Sequence, residues 1–490
     1  MHFLRCRSSL RSCQMGPVIM SRWLTTLLTF FLLQNVLAIE VNPEDETSLK
    51  NAAKTVATTM IDYYNARDSK AIPGKFDETW WEGGSMFMTL IQYWYLTGDS
   101  QFNDAIQEGM YWQKGDDNDF FPSNYSQYLG NDDQVFWGLA AITAGELNFP
   151  ERDGEPSWIS LAEGVFNGQI PRWDMTACGG GLRWQIWPYQ DGYNLKNAIS
   201  NGGLFQLSAR LALYTKNATY AEWAEKIWDW SHSTPLLRKT WVIADTTTNA
   251  ANCKDHGDHQ WTYNYATYIM GAGYMHNYVR LPCPQASIVK TNRHYRPMVL
   301  KANGSKACQD CSRHLNSFFP KSGDHQIISD ITCEPIDMCD RNQKTFKTYF
   351  TSWIGFMSLI VPTNVTAEVM GKFKASAVAA GQQCSGGSDG KHCGIRWTKK
   401  SEWDGTMGLE QQMSVLGVLN AVMVPFTADG PFNADNGGKS KSDPHGGHNP
   451  EGTIGPAPIT SGDRVGAGIL TAVFVLVWVG AISWMLVGGK

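Results

Sequence analysis

Residues 131–147 read Asn-Asp-Asp-Gln-Val-Phe-Trp-Gly-Leu-Ala-Ala-Ile-Thr-Ala-Gly-Glu-Leu, and this stretch decides the fold. Beyond Gln134 the residues are apolar or small on almost every side, so a helix here has no solvent-facing stripe and must be buried all round. It nevertheless opens on two adjacent carboxylates, Asp132 and Asp133, whose nearest cationic neighbour in sequence is Lys114. Two readings follow. Asn and Asp cap helices, because they accept from free backbone N–H groups and suit the positive end of the helix dipole. Like charges this close also resist joint ionisation, which raises one pKa and leaves the other low. A glycosidase uses that split: one carboxylate attacks while the other donates a proton.

Five more segments share this character: Glu82–Phe87, Asn201–Leu213, Tyr263–Tyr278, Phe346–Val361 and Gly408–Val424. Each opens on polar, glycine or aromatic residues and then runs apolar. Other segments carry one apolar stripe at helical spacing, first at 46–66 (Ala53, Val56, Met60, Tyr63), then near 101–113, 156–168, 218–231, 305–318 and 366–380. A stripe is also legible within 82–96, through Phe87, Leu90, Ile91 and Trp94. Buried helices alternating with peripheral ones predict an all-α fold, an (α/α)6 barrel of six inner and six outer helices. The period is irregular, roughly 50 to 85 residues, which places long loops at the barrel ends. The inner-helix starts then gather Trp80, Trp81, Glu82, Asp132, Asp133, Asn201, Tyr263, Asn264, Glu410 and Gln411 at one mouth, a set suited to a sugar cleft.

The chain ends carry addresses. Arg5, Arg7, Arg11 and Arg22 precede an apolar run from Leu24 to Leu33 and a cleavage-type Val36-Leu37-Ala38, so 1–38 reads as a secretory signal peptide. Sequons at Asn124, Asn217, Asn303 and Asn364 are compatible with a glycosylated product. Val465–Val487 is apolar and uncharged, with only Gly488-Gly489-Lys490 after it and a Gly-, Pro-, Asn-, Ser- and Asp-rich stretch before it. The expected layout is a catalytic domain at 39–426, a linker with the GPI-attachment region at 427–464, and a removed hydrophobic GPI tail at 465–490. A retained transmembrane helix is the alternative, since about 20 apolar residues span a bilayer. The product is expected at the cell surface, on the outer leaflet of the plasma membrane and in the wall.

Formal net charge is −5, and no basic run interleaves with aromatics, which argues against nucleic acid as a partner. Twenty tryptophans favour a carbohydrate site, because aromatic faces suit the apolar faces of sugar rings. Nine cysteines follow the presequence: Cys178, Cys253, Cys283, Cys308, Cys311, Cys333, Cys339, Cys384 and Cys393. In a secreted chain they read as disulfides with at least one left over, their pairing open, rather than as a zinc site. Asp255-His256-Gly257-Asp258-His259 has metal-like composition but reads as a solvated loop, and no metal or cofactor is expected.

With these motifs in hand, the chain resembles glycoside hydrolase family 76, in particular its fungal GPI-anchored members of the defective-cell-wall and defective-filamentous-growth type. The resemblance rests on Trp80-Trp81-Glu82-Gly83-Gly84, Asn131-Asp132-Asp133-Gln134-Val135-Phe136-Trp137 and Cys178-Gly179-Gly180-Gly181-Leu182-Arg183-Trp184-Gln185. Asn201-Gly202-Gly203-Leu204-Phe205 with Arg210, Thr262-Tyr263-Asn264 and Gly408-Leu409-Glu410-Gln411-Gln412-Met413 extend it in order. It implies an (α/α)6 barrel, activity on α-1,6-mannose linkages, and a retaining mechanism with Asp132 as nucleophile and Asp133 as general acid/base. It further implies a GPI glycan or α-1,6-mannan as substrate and wall β-glucan as acceptor.

Trp80, Trp81, Trp184 and Trp187 read as sugar platforms or as core. Arg183 reads as a clamp on a glycan phosphate or as partner to a core carboxylate. Tyr263 and Asn264 hold sugar hydroxyls or cap their helix, and Glu82 and Glu410 are auxiliary acids or first-turn glutamates. Asp245, in Val242-Ile243-Ala244-Asp245, lies one position away from the family pattern. Three functions compete: a transglycosidase that moves GPI-anchored proteins from the anchor's mannose core to β-glucan, a hydrolytic endo-α-1,6-mannanase, and a non-catalytic wall lectin. An intact Asp132–Asp133 pair argues against the lectin, which has no use for two uncompensated carboxylates.

Overall fold

The computed structural model describes residues 38–487, apart from Asp77, 281–314, 321–324, Ala428 and 448–460. The signal segment 1–37, Asn303, Cys283, Cys308, Cys311 and most of the outer helix expected at 305–318 lie outside the described residues.

The six buried segments all form helices: α2 (Trp80–Thr97), α4 (Asn131–Glu146), α6 (Ala198–Thr215), α8 (Thr262–Arg280), α9 (Phe346–Met357) and α11 (Leu409–Met423). Each packs on the next, and α11 returns to α2, so the ring closes. Among the described residues five outer helices lean on it: α1 (Glu46–Ala66), α3 (Asn103–Gln113), α5 (Trp158–Gln169), α7 (Ala218–Ser233) and α10 (Thr363–Gln382). The fold is thus the all-α barrel expected from the alternation. The outer helices obey stripe logic: Leu49, Ala53, Val56 and Met60 of α1 are fully buried, and Asp45 caps that helix by accepting from the Thr47 N–H at 3.0 Å. Inner helices approach closely where glycine removes a side chain. A Cβ on Gly84 of α2 would sit 2.9 Å from the Trp137 ring of α4, and one on Gly355 of α9 would meet the Ala421 backbone of α11 at 2.7 Å.

All inner helices start at one end of the barrel, where two short antiparallel strand pairs help shape the mouth. β1 (Leu195–Asn197) pairs antiparallel with β2 (Thr246–Thr248), and β3 (Cys384–Gly386) with β4 (His392–Cys393). Disulfides join Cys178 to Cys253, Cys333 to Cys339 and Cys384 to Cys393. The far end is closed by a buried charge cluster. Arg210 of α6 donates to Glu146 of α4 at 2.7 Å and to the Thr143 hydroxyl at 2.8 Å, and Tyr274 of α8 donates to Glu146 at 2.9 Å.

One boundary differs from the compositional reading. The stretch taken as the start of a linker is a strap over 429–447, held to the barrel wall. Phe432 N–H donates to the Glu146 carbonyl at 2.7 Å, and Ala434 N–H to that of Tyr214 at 3.1 Å. Ser440 is buried between Glu151 and the Ile159 N–H. Ser442 Oγ and Asp443 N–H both donate to Glu163, a fully buried carboxylate of α5. Gly, Asn and Ser are frequent in linkers, but here they are selected because the strap binds through backbone and small hydroxyls. After it, Ser461–Val487 forms a single helix, α12.

A chain cut after Gly447 should therefore melt like one retaining the tail. A cut after Thr427 should lower stability by about 2–4 kcal/mol, because Glu163 loses two donors while remaining buried. Denaturant titration of the two truncations checks this, and equal midpoints would show the strap to be dispensable.

Candidate active site

The start of α4 is held from three sides. Asn131 donates its N–H to the Trp184 carbonyl at 2.9 Å and its amide to that of Arg183 at 2.8 Å, while Gln169 donates to the Asn131 carbonyl at 2.7 Å. The 182–185 segment thereby runs antiparallel beside the helix start, with a bridge between Gly130 and Gln185. Asp133 accepts from the Gly130 N–H at 2.6 Å, and Asp132 accepts from the Asp133 N–H at 3.1 Å. Both carboxylates cap their helix and both keep surface open to the cleft.

Among the described residues no cation pairs with either. Burial, and then the charge of Asp133, pushes the Asp132 carboxyl well above its ordinary range. Burial pushes Asp133 up to about 6, against the pull of the Gly130 N–H. Both carboxyls are thus pushed toward the protonated form, as expected of uncompensated neighbours.

The neighbours of Asp132 come from the β1–β2 strand pair and from α8. Asn197, at the end of β1, donates its side-chain amide Nδ2 to Asp132 Oδ2 at 3.3 Å, while its side-chain Oδ1 accepts the Ser200 N–H and caps α6. Asp245 accepts from the Asn264 amide at 2.9 Å, and burial raises its pKa. Tyr263 lies stacked on Phe346 with ring centroids 3.8 Å apart, and its hydroxyl is held far from ionisation by burial and by Asp245 and Asp132. Asp330 fixes the start of α8 by accepting from both the N–H and the hydroxyl of Thr262. Trp81, Phe136, Tyr349 and Tyr263 continue the aromatic lining around the mouth.

A second pair of acids lies at the starts of α2 and α11. Arg341 donates Nε to Glu410 at 2.6 Å and NH2 to Glu82 at 2.8 Å. Burial, then the charge of Glu410, pushes Glu82 up to about 8, with Arg341 pulling the other way. Glu82 is fully buried, whereas Arg341 is 40% exposed and faces the open side.

Of the predicted contact residues, the structure brings Asp132, Asp133, Trp81 and Tyr263 to the mouth with surface to offer, while Glu410 is buried against Arg341. Four others do different work. Trp80 is buried, stacks near Trp137 and donates its indole N–H to Gln113, because its position on α2 faces the outer helix. Arg183 does not stand free for a phosphate: it pairs with Asp174 at 2.9 Å and lies over the Tyr193 ring. Asn201 is fully buried and clamps both backbone groups of Leu182. Asn264 is buried beneath Asp245. Trp184 is partly exposed, its ring seated on Gly192, where a Cβ would come within 2.3 Å.

Asn197 and Arg341 were not predicted. Asn197 carried a legible N-cap signal before Ala198, but its second partner lies 65 residues away. Arg341 sits in a loop without periodicity. Asp255 closes the loop after β2 by accepting from Thr247 and Thr248, which accounts for one acid of the metal-like cluster. The sequon residues Asn124 and Asn364 are exposed, while the Asn217 side chain caps α7.

Comparison with known proteins agrees with this geometry. The model of glycosyl hydrolase family 76 matches residues 48–435. The chain belongs to this family. As a family 76 glycoside hydrolase it is 35% identical over 457 residues to a mannan endo-1,6-alpha-mannosidase of Candida albicans, covering 92% of this chain and 96% of the relative. It is 34% identical to a second such protein, from Saccharomyces cerevisiae, over 475 residues. Among solved structures, Dfg5 from Chaetomium thermophilum in complex with glucosamine superposes with a TM-score of 0.73 at 34% identity, covering 84% of this chain and 98% of that one. An inactive double-aspartate variant of an α-1,6-mannanase from Salegentibacter, in complex with α-1,6-mannotetrose, shares the fold at a TM-score of 0.58 and 16% identity.

The raised acids give a stability prediction. A carboxyl whose folded pKa lies above its unfolded value stabilises the fold while protonated, and that contribution is lost as pH rises through the folded pKa. For Asp133 the loss runs from about 4 to about 6. Asp133→Asn, whose amide oxygen still accepts from Gly130, should therefore be more stable than the parent at pH 7, by on the order of 2 kcal/mol. The gap should close below pH 4, and Asp132→Asn should behave alike. Thermal melts across pH test this; a variant less stable than the parent at pH 7 refutes it.

Proposed function

We propose that this family 76 enzyme is a retaining α-1,6-mannosidase acting as a wall transglycosidase, which opens the mannose core of GPI anchors and passes the attached proteins to β-glucan. One observation carries this reading: Asp132 and Asp133 stand side by side at a capped helix start, facing the cleft without a cation and both pushed by burial toward the protonated form. Its relatives are named mannan endo-1,6-alpha-mannosidases, and the mannanase rendered inactive by replacement of two adjacent aspartates still held mannotetrose. That naming also supports the hydrolytic alternative, in which water takes the place of the glucan hydroxyl.

In this mechanism Asp132 attacks the anomeric carbon to form a mannosyl ester, while Asp133 protonates the departing oxygen. Asp133 then takes the proton of the incoming hydroxyl as the ester breaks. The roles require the proton on Asp133: the positive charge growing at the anomeric carbon stabilises ionised Asp132, and the leaving oxygen strips water from Asp133. The Asn197 amide adds a donor to the attacking carboxylate. The presequence and the apolar stretch Val465–Val487 support export and a GPI anchor, which would place the enzyme on the outer leaflet beside its substrates.

The test uses the 39–447 fragment with a labelled GPI glycan and a glucan acceptor. Labelled glucan is the expected product, lost at least about 1000-fold in Asp132→Asn and Asp133→Asn. Free mannosides alone would establish hydrolysis instead, and unchanged products from both variants would remove the pair from catalysis. With an activated aryl mannoside and azide, Asp132→Ala should yield the β-azide and Asp133→Ala the α-azide. The opposite pattern would exchange their roles.

A further inference from the structure

On one side of the cleft stand aromatic rings that the chemistry above does not use. Trp187 and Tyr189 belong to the 184–193 loop, whose first residue holds the start of α4, and Tyr128 belongs to the turn just before that helix. Tyr189 is 69% exposed and Tyr128 68%, while Trp187 is partly exposed. These are large apolar groups in water, and the edges of Trp187 and Tyr189 are tied down. The Trp187 indole N–H donates to the Ser126 carbonyl at 2.6 Å, and the Tyr189 hydroxyl to that of Gln127 at 2.9 Å. The two ring planes are 5° from parallel with centroids 6.3 Å apart.

Locking the polar edges while leaving the faces wet lowers the ordering cost of stacking on those faces. The loop beneath is itself braced: Trp184 N–H donates to the Leu195 carbonyl, and Leu195 N–H to that of Gly192. The platform is therefore a fixed part of the mouth, joined by both of its loops to the segment that carries Asp132 and Asp133.

Stereochemistry selects the occupant. An α-linked mannose carries axial oxygens on both faces, O1 on one and O2 on the other, so neither face lies flat on an aromatic ring. A β-linked glucose has every ring substituent equatorial, leaving C–H groups on both faces for the ring to cover. We propose that Trp187, Tyr189 and Tyr128 form the acceptor platform of the enzyme, stacking β-glucan so that one hydroxyl reaches the mannosyl ester on Asp132. This names the acceptor side of the transglycosidase reading and rests on it for its role, while the binding itself needs no turnover.

The experiment measures binding of β-glucan and of α-1,6-manno-oligosaccharides to the full chain carrying Asp132→Asn. Adding Tyr189→Ala with Tyr128→Ala, both at exposed positions, should weaken glucan binding at least about tenfold and mannan binding less than twofold. Tyr189→Phe, which keeps the face and loses the tie to Gln127, should retain most of the affinity. Unchanged glucan affinity, equal loss for both glycans, or no glucan binding by the Asp132→Asn protein overturns the platform. Specific glucan binding in a protein whose active parent gives no transfer product would refute the transglycosidase reading alone.

Discussion

A ring of helices buried on all sides must satisfy its free N–H groups at a mouth where neighbouring chain cannot reach them all. The rest of the site depends on that constraint. Acceptors are needed at each inner-helix start, and the most effective acceptors are carboxylates and amides. Asp133 and Asp132 serve α4, Asn197 serves α6 and Asp330 serves α8. Catalytic acids placed at helix starts therefore perform two tasks with one set of atoms. The capping and catalytic readings of Asp132-Asp133 are not rivals.

The same constraint explains why charge is handled differently at the two ends of the barrel. At the far end Glu146 is paired with Arg210, fully compensated and shut away by Tyr274 and the strap. At the mouth the aspartate pair is left without a cation, and its ionisation is suppressed. Glu82 and Glu410 fall between these extremes, sharing one half-exposed arginine. Removing an Arg from the far end would unbalance the core, whereas placing one beside Asp132 would pull both carboxyls back toward their ordinary range. Energy spent on uncompensated acids at the mouth is characteristic of a site, not of a scaffold.

Helix type, order and approximate bounds were readable because 3.6-residue periodicity and its absence are local properties of the chain. Asp132 and Asp133 were readable as a candidate pair for the same reason, since adjacency is itself sequence. The strap at 429–447 was not, because Gly, Asn and Ser look alike in a linker and in a segment that docks through its backbone. Arg183, Asn201 and Trp80 were misplaced for a related reason: motif membership shows that a residue matters, but not which neighbour it faces. Asp174, the partner that takes Arg183 out of the cleft, belongs to a different loop.

By itself the sequence determined an all-α barrel with six buried helices and an acidic pair at the start of one of them, since burial pattern and adjacency need no knowledge of distant contacts. Only the tertiary structure decided which side chains share the mouth. Asn197 reaches Asp132 from the end of β1, Arg341 joins Glu82 to Glu410 from a loop without pattern, and both aspartates are pushed up by burial. Hydrogen-bond geometry and desolvation depend on what the folded chain brings within a few ångströms, and sequence spacing carries no measure of that distance.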